Sequence, residues 1–73
     1  MTKEQLELKL ESLNLRLQEF TNEQERINEK IKEAVNTQNY GELDKLNKQM
    51  DDVYSNIQEV LKEVQDAYID CNE

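Results

Sequence analysis

Apolar residues recur along the second half of the chain in alternating steps of three and four: Leu43, Leu46, Met50, Val53, Ile57, Val60, Val64, Ala67 and Cys71. At 3.6 residues per turn such steps return to one side of a helix, so this is the seam of a heptad helix. A second seam with the same steps precedes it: Leu6, Leu10, Leu13, Leu17, Phe20, Gln24, Ile27, Ile31 and Ala34. Between the two, Asn36-Thr37-Gln38-Asn39-Tyr40-Gly41 interrupts the pattern and holds the only glycine. The pattern predicts helix 1 over residues 3–35, a turn over 36–39 and helix 2 over 40–72. A turn that short forces the helices antiparallel. The expected fold class is all-α, with residues 1–73 forming one helical hairpin of coiled-coil type that dimerises into a four-helix bundle.

The ends carry their own signals. Thr2 with Gln5 three residues on forms a capping box, and Met1 with Leu6 offers a hydrophobic staple. Asn39 is a good N-cap for helix 2, with Glu42 placed to complete a second box. Asn36 is expected to close helix 1 in a left-handed conformation. One competing pattern exists. Leu6–Leu8–Leu10 and Leu13–Leu15–Leu17 alternate with period two, which admits a β-hairpin. The Leu, Glu and Lys content and the poor turn at Glu11–Ser12 weigh against it.

Two apolar groups lie outside the seams. Leu8 and Leu15 are one heptad apart and nearly opposite the seam of helix 1. Tyr40, Tyr54, Leu61 and Tyr68, with Asn47 between them, flank the seam of helix 2. That makes helix 2 broader in its apolar face than a two-stranded coiled coil needs. Gln24 is the one polar residue in the seam of helix 1. A polar core residue costs stability and can fix register or oligomer state, or it can mark a wet layer. An aspartate at Ile57 is expected to abolish the fold or the assembly by placing charge in mid-seam.

Composition sharpens the picture. Seventy-three residues allow one domain, and a chain this short seldom buries a sufficient core alone. The net charge of −8 is uneven. Residues 1–38 carry eight acids against six bases, and residues 39–73 nine against three. Such a surface repels nucleic acid and anionic lipid. The lone Cys71 has no internal disulfide partner, and no apolar run is long enough to cross a bilayer. A cytoplasmic setting is expected.

Catalytic chemistry has little to work with. The chain has no His, so no imidazole base and no nucleophile–His pair. There is no CxxC, no Gly-rich phosphate loop and no calcium-loop pattern. The chain is therefore expected to be no enzyme, with no cofactor and no metal.

Three functions fit. The first is a non-enzymatic helical protein–protein interaction or oligomerisation module, an adaptor, scaffold or small regulatory subunit. It would contact a second copy or a partner helix of another protein through Leu8, Leu15, Tyr40, Tyr54, Leu61 and Tyr68. The second is an acidic inhibitor of the kind that viruses encode. Its Asp51, Asp52, Glu59, Glu63, Asp66 and Asp70 would stand in for phosphates at a basic site. The third rests on a resemblance. Thr2–Lys3 near the start, the short turn and the size resemble the Rop-like plasmid RNA-binding hairpins, which dimerise into four-helix bundles. That resemblance implies RNA contact, and the bases that helix 1 itself offers for it are Lys3, Lys9, Arg16, Arg26, Lys30 and Lys32. These bases are interleaved with acids rather than clustered, which argues against it.

Overall fold

The computed structural model describes residues 1–72. Helix α1 spans Lys3–Asn36 and helix α2 spans Tyr40–Asn72. No strand forms among the described residues. The period-two leucines are thus helical: Leu6, Leu10, Leu13 and Leu17 lie on the seam, while Leu8 and Leu15 lie off it.

Thr2 starts α1. Its extended backbone stops the helix, its hydroxyl accepts from the Gln5 N–H at 3.2 Å, and the Thr2 N–H donates to Gln5 Oε1 at 3.0 Å. The capping box thereby satisfies donors that the first turn cannot use. From there no Gly or Pro interrupts the chain until Gly41, and α1 runs for 34 residues.

The turn differs from the sequence expectation in two details. The left-handed residue is Gln38, at φ 56°, not Asn36. Asn36 stays helical because Thr37 caps the last turn: its N–H and hydroxyl both donate to the Glu33 carbonyl at 3.0 Å. The reversal comes next. Gln38 N–H donates to Val35 O at 3.2 Å and Asn39 N–H to Ala34 O at 2.9 Å. This pair of bonds is a Schellman motif, which normally places glycine where Gln38 stands. The second difference follows from the first. Asn39 Oδ1 accepts from the Glu42 N–H at 3.2 Å and caps α2. Its own N–H is already given to Ala34, so Glu42 has none to accept, and the box is half made. Asn39 therefore ends one helix and begins the next.

The helices pack antiparallel along their length, and the longest dimension of the hairpin is 53 Å. That matches helices of about 33 residues at a rise of about 1.5 Å. A bond between Arg16 Nη1 and Glu63 Oε2, at 2.7 Å, joins the two helices in their outer half. On the side where the helices meet, α1 presents Leu13, Phe20, Ile27 and Ala34, and α2 presents Leu46, Val53, Val60 and Ala67. All of these but the half-buried Phe20 are buried. Ile27, Ala34, Leu46 and Val53 form one core cluster, with Phe20, Ile31, Leu43, Met50 and Ile57 packed against it.

Each seam splits into two rows. The inner row, just described, is the core. The outer row is Leu10, Leu17, Gln24 and Ile31 on α1, and Leu43, Met50, Ile57, Val64 and Cys71 on α2. Every member of it is only half-buried. Two helices can close one side of their shared seam but not both.

Candidate interaction surface

The residues beside each row explain the difference. Positions flanking the inner row hold Lys9, Arg16, Glu23 and Lys30 on α1, and Gln49, Asn56, Glu63 and Asp70 on α2. All but Asn56 are long or charged, and the long ones can lay their stems along the core and keep their heads in water. Arg16 and Glu63 meet across this edge. Positions flanking the outer row are unlike them. On α1 they hold Asn14, Thr21, Asn28 and Val35, which are short. The Thr21 hydroxyl turns back to donate to the Leu17 carbonyl at 2.9 Å, so it covers little. On α2 they hold Tyr40, Asn47, Tyr54, Leu61 and Tyr68.

The outer row and its flanks make one continuous face. Tyr54 is 54% exposed, Leu61 45% and Tyr68 50%, and Tyr40 and Val35 are more open still. From Leu10 to Val35 on α1, and from Tyr40 to Cys71 on α2, no residue of this face is charged, although 36% of the chain is. Apolar surface of this extent, rimmed by polar residues, marks a contact site more often than a solvated surface.

The other interaction candidates lie apart. Leu8 and Leu15 are exposed on the back of α1, away from α2. Leu8 sits among Glu4, Glu7 and Glu11 in a shallow depression, so these leucines form a small isolated patch. Ile69 is a further exposed apolar residue, on the back of α2. The apolar spacing does not single out Val35, and it places the outer row in the seam without separating it from the inner row. The signal that finds them is the contrast between flanks, charged and long on one side, short or aromatic on the other.

The acidic residues divide as well. Asp52, Glu59 and Asp66 form a row at heptad spacing on the charged side of α2, with Glu63 and Asp70 beside it. Glu63 is engaged with Arg16. Asp51 lies on the opposite side, next to the tyrosine row. The six carboxylates do not share one face.

No group of His, Cys, Asp or Glu among the described residues is arranged to hold a metal ion. No buried polar side-chain atom is left without a partner there. The depressions lie along helix surfaces or beside the turn. None gathers polar groups around an apolar cavity as a small-molecule site does. No helix among the described residues is long and apolar enough to cross a membrane. No protein-family model matches the chain, and no curated protein or solved structure matches it.

Proposed function

We propose that the chain is a non-enzymatic helical module for protein–protein interaction or oligomerisation, of the kind used in adaptors, scaffolds and small regulatory subunits. One observation carries this reading: the uncharged face formed by the outer row and the tyrosine row of α2. A helix or a pair of helices laid along it would turn the half-buried row into a second core layer. The residues engaged are Tyr54, Leu61 and Tyr68 with Met50, Ile57 and Val64 behind them. Leu8 and Leu15 take no part.

The test is dye binding and mass together. A chain that uses this face either self-associates or, as a monomer, binds an apolar dye such as anilinonaphthalene sulfonate. Replacing Tyr54 and Leu61 by Lys removes whichever behaviour is seen. A monomer that binds no dye and is indifferent to that double substitution ends the reading.

A second reading draws on the row Asp52, Glu59 and Asp66 with its neighbours Glu63 and Asp70. An acidic helix edge fits a basic groove on a protein that handles nucleic acid. Such binding weakens steeply as salt rises. Affinity for a basic target that holds between low and high salt would remove it.

A further inference from the structure

The occupant of the open face can be named from charge, size and symmetry. The inference rests on the docking reading above and adds the partner.

Charge comes first. The molecule carries −8, and two copies repel unless their carboxylates stay apart. Only a face without charge lets them approach. The carboxylates of Asp52, Glu59 and Asp66 lie on the other side of α2, so two hairpins joined through the outer rows keep them outside, and Asp44 and Asp51, which border the tyrosine row, stay at the wet rim. An uncharged face also offers no ionic feature by which a basic or acidic partner would be chosen.

Size agrees. The hairpin measures 53 × 15 × 10 Å between Cα extremes. A face about 50 Å long and about 15 Å wide is about 800 Å² per partner, the share each side has in a standard specific interface.

Symmetry is the most particular observation. The open strip holds Leu10, Leu17, Gln24 and Ile31 of α1 beside Leu43, Met50, Ile57, Val64 and Cys71 of α2, and Gln24 is its one polar member. A carboxamide is its own complement, since its N–H donates and its oxygen accepts. An isologous dimer brings the same patch of both copies together. With the copies antiparallel and the two-fold axis at Gln24, Gln24 meets Gln24, Leu17 meets Ile31 and Leu10 meets the turn end of the other copy. A slip of one heptad sets each Gln24 against an apolar residue and strands its amide.

We propose that the open face binds a second copy of this chain, antiparallel to the first, and that the paired Gln24 amides select the register of the two copies. The product is a four-helix bundle whose second core layer is the outer row.

The experiment uses the whole chain. Sedimentation equilibrium is expected to give about twice the 8.7 kDa chain mass. Leu61→Glu is expected to weaken the dimer at least a hundredfold, while L8K/L15K leaves it unchanged. Cross-linking guards against a variant that merely unfolds. In a Cys71→Ser background, Gln24→Cys is expected to be joined into dimers by a short bis-maleimide, and Leu8→Cys is not. A monomer that binds apolar dye through Tyr54 and Leu61 overturns the second copy and leaves the docking reading standing. A monomer that binds no dye overturns both. A dimer cross-linked through position 8 rather than 24 places the interface elsewhere and overturns the proposal.

Discussion

Arg16 and Glu63 lie 47 positions apart in sequence, and their side chains meet at 2.7 Å on the edge opposite the tyrosine row. Both are about half exposed, so water and salt screen the pair. An exposed ion pair of this kind contributes about 0–1 kcal/mol. A double-mutant cycle of R16A and E63A, read from urea midpoints, should give a coupling within that range at low salt. It should fall towards zero at about 1 M salt, where the screening length is about 3 Å. A coupling that is larger and indifferent to salt would mean the edge is covered by something the hairpin alone does not supply.

Gln38 holds a left-handed backbone at φ 56°. For a residue with a Cβ that conformation costs about 1–2 kcal/mol, and glycine is free of most of it. Gln38→Gly should therefore stabilise the protein by about 1 kcal/mol, offset in part by glycine's greater freedom in the unfolded chain. In a domain this size 1 kcal/mol moves Tm by about 4–8 °C. Gln38→Val should move it the other way, because a β-branched side chain tolerates this region worst. Thermal melts of the three proteins decide it.

The turn also shows what the sequence could not rank. Asn36 and Gln38 both lie in the break, and asparagine is the commoner left-handed residue. What decides is the Thr37 hydroxyl, which reaches the Glu33 carbonyl and carries the helix one residue further. That is a contest of local hydrogen bonds, invisible to residue type alone. The helices themselves were legible, because Leu6 to Ala34 and Leu43 to Cys71 keep the three–four step without a fault. The split of each seam was not. Val53 and Ile57 look equivalent in spacing, yet one is buried and the other half open. Their difference comes from the neighbouring helix and from the lengths of the flanking side chains, which periodicity does not weigh.

Gln24 lies between Leu17 and Ile31 in the outer row. Replacing it with leucine removes a polar group from a largely apolar strip, and should stabilise whatever covers that strip by about 1 kcal/mol. The gain in stability should come with a loss of uniqueness, since nothing polar then opposes a shifted register. Calorimetry should show a higher Tm for Gln24→Leu, and light scattering a broader mass distribution than the parent gives. A higher Tm with an unchanged single mass would leave the register to the apolar residues alone.

Val60 and Ile57 are three residues apart on α2, and a charge at each should have distinct consequences. Val60 is 0% exposed, in the row that joins the two helices. An aspartate there has no water to solvate it, at a cost of several kcal/mol. A domain of this size has only about 5–10 kcal/mol of stability to lose. Val60→Asp should therefore abolish the hairpin at every protein concentration, with helical circular dichroism lost. Ile57 is half-buried in the outer row, and an aspartate there can still turn its carboxylate to solvent. Within one hairpin Ile57 is only partly buried, packed against the core cluster with one side open. Ile57→Asp should leave the inner row packed and the chain helical under mild conditions, while association through the open face is lost. Circular dichroism and sedimentation on the same two samples separate these outcomes. If both variants unfold alike at every concentration, the outer row is as necessary to the hairpin as the inner one. The division of the seam into a closed core and an open face would then be incorrect.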